Sequence, residues 1–190
     1  MKAFMWERYG PPEALRMAEI EKPTPASGEA LVEVLGISVN PADWHSMRGK
    51  PIFSRLTLGL LKPKHRILGV DVAGRVEAVG GGVTRFKPGD EVYANLLDHG
   101  YGGFAEYVSV PVDVMSSKPP SLSFEEAAAV PMAAVTAGAG ERESGRGVGL
   151  SAPARPRALR RLRYRREEPE GRASFVRSLN RARAVFHARR

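Results

Sequence analysis

Apolar and polar residues alternate along most of the first 110 positions of the chain. Alternation at a period of two is typical of strands that bury one face and expose the other. It predicts six strands, over residues 2–6, 15–21, 30–39, 70–79, 91–96 and 104–110. Turns rich in glycine and proline separate many of them at intervals of about 8–12 residues, a spacing typical of barrels and sandwiches. The pattern therefore predicts a mainly β domain.

A short helix is predicted over residues 41–47, directly after the third strand. Pro41 suits the first helical position because it has no amide hydrogen to leave unpaired, and Asn40 occupies the N-cap position. Residues 49–66, which contain two prolines and several basic residues, are expected to form a long loop.

A second helical region is predicted to begin at a capping box. The Ser123 hydroxyl can accept a hydrogen bond from the backbone N–H of Glu126, whose carboxylate can accept one from the backbone N–H of Ser123. The alanine-rich run over residues 127–137 follows as a helix that Pro131 kinks or interrupts.

The composition changes after Gly140. Residues 1–140 carry 14 Lys and Arg against 16 Asp and Glu, whereas residues 141–190 carry 15 Arg and 5 Glu with no Lys, Asp, Thr or Ile. We therefore predict a folded domain over residues 1–137 and a largely disordered, arginine-rich tail over residues 138–190. Two origins fit this tail: a truncated or out-of-frame reading of GC-rich DNA, and a genuine basic extension that binds nucleic acid or another polyanion.

The chain contains no cysteine, which excludes disulfides, thiolate zinc sites and iron–sulfur clusters. No apolar run approaches the roughly 18–20 residues of a membrane-spanning helix. The first residues reach a charge at Glu7, too soon for the apolar core of a secretory signal. We expect a cytoplasmic protein without a membrane span.

Five segments carry a resemblance to a known family. In chain order they are MKAFMWERYGPPEALRMAEI, GEALVEVLGISVNPAD, GVDVAGRVEAVGGGVTRFKPGDEVYA, GFAEYVSVP and LSFEEAAAVPMAAVTA. Their order and spacing resemble the GroES-like catalytic domain of the medium-chain dehydrogenase/reductase superfamily, with its zinc-free, quinone reductase-like branch fitting best. The resemblance implies a partly open β-barrel. It also implies an oxidoreductase that transfers hydride from NADPH or NADH to a carbonyl, enone or quinone substrate.

The resemblance also suggests roles for individual residues. Asn40 is expected to face the nicotinamide and the cofactor ribose, and the alternative is a plain helix cap. His45 is expected to donate a proton or hydrogen bond to the substrate oxygen, unless it is a solvent-facing histidine. Thr136 is expected to approach the nicotinamide, with helix packing as the alternative. Trp44 is expected to line the substrate pocket and Asp71 to support the cleft, although either side chain can serve packing alone.

A catalytic zinc is not expected. Where the zinc enzymes of this superfamily have Gly-His-Glu, this chain reads Gly69-Val70-Asp71, and where they have the first cysteine ligand it reads Val39-Asn40-Pro41. The remaining histidines lack the spacing of a metal site.

The family pattern stops at about residue 137. A doubly wound dinucleotide-binding domain is expected there, but the segment from Gly138 begins like GxGxxG and has Glu143 at the third glycine position. The first hypothesis is therefore an oxidoreductase represented by its substrate-side domain, with a homo-oligomer left open. The second is a non-enzymatic β-barrel module whose arginine-rich tail binds nucleic acid or another polyanion, and cofactor binding distinguishes the two.

Overall fold

Strands dominate the part of the chain that the computed structural model describes, residues 1–134, which lies within one compact unit, Met1–Ala134. The seven strands are β1 (Lys2–Trp6), β2 (Leu15–Glu19), β3 (Glu29–Ser38), β4 (Asp71–Val79), β5 (Glu91–Asn95), β6 (Tyr107–Pro111) and β7 (Met115–Ser117). The helices are α1 (Pro41–Arg48), α2 (Arg55–Leu58) and α3 (Phe124–Ala128), with 3-10 turns at Pro12–Ala14, Ile52–Ser54 and Val112–Val114. The mainly β fold class is confirmed.

The strands form two antiparallel sheets. One pairs β1 with β2, and the other has the order β6-β3-β4-β5-β7. Within residues 1–134 the edge strands β6 and β7 do not pair with each other, so the larger sheet is open rather than closed into a barrel. The short β7, three residues long, pairs only with β5.

The main core lies on one face of the five-stranded sheet. All five strands contribute buried apolar side chains, among them Val32, Val76, Val92, Val110 and Met115. In β5 and β6 buried and half-buried positions alternate strictly, as the sequence pattern predicts.

Helix α3 packs on the opposite face of that sheet. Ala127 and Ala128 are buried against Ala73 of β4. The close approach depends on Gly36, where a Cβ atom would lie 2.4 Å from the carbonyl oxygen of Phe124. The predicted capping box at the start of α3 is present, with Ser123 and Glu126 exchanging both hydrogen bonds.

Several predicted boundaries differ from the structure. Residues 49–66 contain a 3-10 turn and α2 rather than loop alone, because the Arg55 and Tyr9 side chains bond backbone carbonyls at Gly49 and Gly59. Strand β7 was not predicted, because three residues are too few for an alternation signal. The strand predicted from residue 104 begins at Tyr107.

Helix α3 ends at Ala128 and helical backbone resumes at residues 131–134, so the chain is interrupted just before Pro131, as predicted. The rest of the predicted helix, Thr136, the predicted domain boundary and the tail over residues 138–190 lie outside the described residues. No helix between residues 1 and 134 has the length and apolar character needed to cross a bilayer.

Candidate active site

Three neighbouring strands bring polar side chains together at one end of the larger sheet. Ser38 ends β3, Asp71 begins β4 and Asn95 ends β5, and the ladder pairs Asp71 with both of the others. Asn40 follows two residues after Ser38 and is the N-cap of α1. The strand register therefore places these four side chains in one group, here called the Asn40–Asp71 cluster (Ser38, Asn40, Asp71 and Asn95).

Asp71 is the centre of this cluster and is fully buried. Its Oδ1 accepts a hydrogen bond from Asn95 Nδ2 at 2.8 Å. Its Oδ2 accepts from Asn40 Nδ2 at 3.1 Å, from Ser38 Oγ at 3.2 Å and from the Met132 backbone N–H at 3.1 Å. Burial raises the pKa of the Asp71 carboxyl, and these hydrogen bonds oppose the rise. Within this cluster the Asp71 carboxylate thus accepts hydrogen bonds from four neutral donors and contacts no cation.

The amide of Asn40 is held in one orientation. Its Nδ2 donates to Ser38 Oγ at 2.9 Å as well as to Asp71 Oδ2, so both amide hydrogens are used. The amide nitrogen therefore points towards Asp71, and the carbonyl oxygen on the other side of the planar group faces the first turn of α1, where the Asn40 side chain and the Asp43 backbone N–H form one half of a capping box. A carbonyl oxygen has two lone pairs, so it can accept a second hydrogen bond. An asparagine oriented in this way suits recognition of a hydroxyl or carboxamide donor.

A second buried carboxylate, Asp43, fixes the first turn of α1. Its Oδ2 accepts from the Asn40 backbone N–H at 2.9 Å, and its Oδ1 accepts from the Gly69 backbone N–H at 3.2 Å. Burial, with a smaller contribution from the nearby Asp71 charge, raises the pKa of Asp43 from 3.8 to about 7 against the opposing effect of its backbone hydrogen bonds. Asp43 thereby ties the start of α1 to the segment that leads into Asp71. Sequence reasoning did not select it, although its position three residues after the N-cap Asn40 was an available signal.

The other residues singled out on α1 lie outside the cluster. His45 is exposed, and within residues 1–134 no hydrogen bond joins its side chain to Asn40 or Asp71. Trp44 is half-buried, and the Arg48 guanidinium carbon lies 4.9 Å from its ring centroid. The structure therefore joins the side chains of Asn40 and Asp71, and the described hydrogen bonds do not bring the His45 side chain to them. Trp44 meets Asn40 through the backbone, where its N–H donates to the Asn40 carbonyl at 3.3 Å.

A buried hydroxyl pair lies one turn further along α1. Ser46 Oγ and Tyr101 OH are 3.0 Å apart. Tyr101 has a left-handed backbone with φ of 62°, and its ring contacts Trp6 edge-on with centroids 6.2 Å apart. Burial raises the pKa of the Tyr101 hydroxyl. Sequence reasoning missed this pair because its two members are 55 residues apart.

The donor set of the described residues does not suit zinc. Between residues 1 and 134 no three His, Asp or Glu side chains are grouped closely enough to hold a metal ion. Val70, at the position where the resemblance places the histidine ligand of the zinc enzymes, is fully buried. A surface pocket lined by Trp6, Glu7, Pro63 and basic side chains contains none of the residues singled out from the sequence.

Comparison with known proteins gives one consistent result. The alcohol dehydrogenase GroES-like domain matches residues 26–120. The quinone-oxidoreductase homolog of Spinacia oleracea is 38% identical over 141 residues, which are 72% of this chain and 40% of that protein. The NADPH-dependent alkenal/one oxidoreductase of Arabidopsis thaliana is 33% identical over 147 residues, which are 74% of this chain and 36% of that protein.

Solved structures of quinone oxidoreductases are also similar to this chain. The quinone oxidoreductase of Escherichia coli, in complex with NADPH, is 28% identical with a TM-score of 0.65, covering 76% of this chain and 41% of that one. The quinone oxidoreductase of Coxiella burnetii has a TM-score of 0.67 at 28% identity, covering 76% and 45%. The chain thus spans about 40% of the length of the curated relatives it matches. It belongs to the alcohol dehydrogenase GroES-like domain family, within the medium-chain dehydrogenase/reductase superfamily that contains the quinone oxidoreductases.

Proposed function

We propose that this chain is the substrate-side part of a zinc-free oxidoreductase that transfers hydride from NADPH or NADH to a quinone, enone or other carbonyl compound. The observation that carries the proposal is the Asn40–Asp71 cluster, a buried carboxylate that orients an asparagine amide at the start of a helix. Relatives named quinone oxidoreductase and alkenal/one oxidoreductase support the reaction class. A cytoplasmic location stays a prediction.

Asn40 is the residue we assign to the nicotinamide end of the cofactor. Because both of its amide hydrogens are used within the cluster, the acceptor for the cofactor ribose or carboxamide is its carbonyl oxygen, through the lone pair that the capping-box contact with Asp43 does not use. The nicotinamide, when bound, supplies the hydride. The role of Asp71 is to hold Asn40 in place, which reduces the cost of orienting the cofactor.

His45 and Trp44 are proposed for the substrate side. The exposed His45 imidazole is free to hydrogen bond or protonate an oxygen that gains negative charge as hydride arrives. The half-buried Trp44 ring offers an apolar wall one residue away on α1. Thr136, assigned by resemblance to the nicotinamide, stays a prediction because it lies outside the described residues.

The described residues suit the nicotinamide end of a dinucleotide but not its pyrophosphate. A pyrophosphate is usually held where a glycine-rich turn leads into the N-terminus of a helix. In residues 1–134 the glycine-rich segments 80–82 and 100–103 lead into β5 and β6 instead. We therefore propose that the phosphates and adenosine are bound by residues outside this range.

A chimera tests the reaction class. Residues 1–134 replace the matching N-terminal part of the Spinacia oleracea relative, which supplies the rest of its chain. NADPH and NADH oxidation are followed with a benzoquinone, an α,β-unsaturated ketone and a saturated ketone. We expect saturable turnover of the quinone or the enone. A folded chimera that binds NADPH saturably and reduces none of the three substrates contradicts the proposal.

A further inference from the structure

The segment between α1 and β4 exposes an unusual set of large apolar side chains. Their exposed fractions lie between 66% and 91%. Elsewhere in residues 1–134 only Met17, at 37%, is a large hydrophobic residue classed as exposed. We call this set the apolar loop face, and its members are Ile52, Phe53, Leu56, Leu60 and Leu61.

The backbone of this segment is anchored while its apolar side chains face solvent. Tyr9 OH donates a hydrogen bond to the Gly59 carbonyl at 2.6 Å, and Gly59 is buried. Arg55 Nε donates to the Gly49 carbonyl at 3.2 Å, and the Lys64 backbone N–H donates to the Leu58 carbonyl at 2.7 Å. The apolar loop face is therefore presented by an ordered scaffold.

The segment that carries this face is basic, and one of its cations, Arg66, forms an ion pair with Glu7 at 3.4 Å. Residues 44–70 contain no Asp or Glu, although residues 1–140 contain 16. Among the described residues no carboxylate forms an ion pair with Lys50, Lys62 or Lys64, all of which are exposed. The six cations of this stretch are Arg48, Lys50, Arg55, Lys62, Lys64 and Arg66.

We propose that the apolar loop face binds the surface of an anionic phospholipid membrane. Aliphatic and phenyl side chains flanked by lysine are the combination that enters the boundary between headgroups and acyl chains while cations pair with lipid phosphates. A second copy of this surface brings together two sets of like charges. The chain's own residues 141–190, with 15 Arg and 5 Glu, have the same sign. Nucleic acid matches the charge but gains little from four exposed aliphatic side chains.

This proposal does not rest on the proposed reductase function. The apolar loop face shares no residue with the Asn40–Asp71 cluster, so membrane binding and turnover can fail separately. The site-specific test uses the absence of cysteine from the chain. Leu61→Cys gives the full chain a single thiol for an environment-sensitive fluorophore, and Met17→Cys gives a control label on β2.

The labelled chains are mixed with vesicles of phosphatidylcholine containing phosphatidylglycerol, and with phosphatidylcholine alone. We expect the label at position 61 to shift to the blue with the anionic vesicles only, and the label at position 17 to stay unchanged. The position-61 label reports this loop even if the arginines of residues 141–190 also attract the vesicles. Sedimentation of the chain with vesicles while the position-61 label stays aqueous overturns the proposal, as does a blue shift without vesicles that grows with protein concentration.

Variants separate the two parts of the interaction. Phe53→Ser with Leu56→Ser removes apolar contact, and Lys62→Gln with Lys64→Gln removes charge. Each pair is expected to weaken the vesicle partition of the position-61 label about tenfold or more. All four positions are exposed, so the fold is retained, and circular dichroism checks this.

The matched controls are Met17→Ser and Lys87→Gln, which change an exposed methionine and an exposed lysine elsewhere. We expect partition within about twofold of the parent chain for both. Equal partition of the loop variants and the controls overturns the proposal.

Discussion

At the scale of single residues, Asn40 is held by two buried carboxylates through different atoms. Asp71 accepts from the side-chain amide, and Asp43 accepts from the backbone N–H. A buried carboxylate is tolerated only when donors surround it, because burial without partners is costly. Both carboxylates meet this condition through neutral donors. The arrangement therefore fixes both the backbone and the amide of the residue that we assign to the nicotinamide.

Replacing the central carboxylate tests this packing. Asp71→Asn turns one acceptor oxygen into an NH2 group that faces donors, so at least one donor loses its partner. We expect the free energy of unfolding to fall by about 2 kcal/mol. Urea denaturation measures it, with Asp113→Asn as the control because Asp113 is exposed. A change in Asp71→Asn no larger than that of the control means that the cluster is not a stabilising unit.

The raised pKa of Asp43 predicts how the stability of the fold depends on pH. Its pKa is about 7 in the folded protein against an ordinary value of 3.8, with burial as the main cause. Because the folded state binds the proton more tightly than the unfolded state, this contribution to stability is complete below about pH 4. It is lost as the pH rises towards about 7. Asp71, whose pKa is also raised, acts in the same direction.

We expect the free energy of unfolding of Asp43→Asn to change less between about pH 4 and pH 7 than that of the parent chain. Urea denaturation across this range measures the difference, and Asp113→Asn is again the control. Parallel pH profiles for Asp43→Asn and the parent chain show that Asp43 does not titrate in this way.

The resemblance supplied Asn40 and Asp71, but no sequence pattern showed that they touch. The contact depends on the register that pairs Ser38 with Asp71, 33 positions later in the chain. Ser46 and Tyr101 were missed for the same reason, since residues 55 positions apart leave no periodic signal. Asp43 was also missed, although its local spacing of three residues from Asn40 is a signal that the sequence does contain.

At the scale of elements, the fold and the site meet where α3 packs on the sheet. Helical residues after α3 bring the Met132 backbone N–H to Asp71, so the position of this region also completes the cluster. Strand positions followed from the alternation because each strand buries one face. Alternation did not predict the open sheet, the three-residue β7 or the turns between residues 49 and 66. These features depend on long-range strand pairing and on side-chain hydrogen bonds to the backbone.

Gly36 tests this element contact. A Cβ atom at this position would lie 2.4 Å from the Phe124 carbonyl oxygen, so Gly36→Ala forces α3 away from the sheet. We expect a loss of about 1–3 kcal/mol in the free energy of unfolding. The control is Gly81→Ala, where the nearest atom lies 3.7 Å away. Equal stability of the two variants contradicts this account of how α3 is placed.

At the scale of the whole molecule, the described residues cover only part of the oxidoreductase that we propose. The chain spans about 40% of the length of its curated relatives, and residues 1–134 show no glycine-rich turn leading into a helix. The composition change after Gly140 predicts where the family pattern ends but not how residues 141–190 act. Neither sequence nor fold selects between NADPH and NADH, because that choice depends on residues at the ribose 2′ position.

If the phosphates and adenosine are bound outside residues 1–134, the 190-residue chain and the chimera bind NADPH with different affinities. NADPH titrations followed by nicotinamide fluorescence are expected to give at least about 100-fold weaker binding for the 190-residue chain than for the chimera with the Spinacia oleracea relative. The reason is that the chimera adds contacts to the phosphates and adenosine. Equal affinities mean that this chain, or its oligomer, builds a complete dinucleotide site.

The central claim is that Asn40, held by Asp71, acts on the nicotinamide. The most direct measurement is kcat/KM for NADPH oxidation by the chimera with its best acceptor, before and after Asn40→Ala. We predict a decrease of about tenfold or more, with no such decrease in Thr57→Ala, an exposed position on α2. If Asn40→Ala folds and keeps kcat/KM within about twofold of the parent chimera, then Asn40 is only a helix cap and the proposed site is wrong.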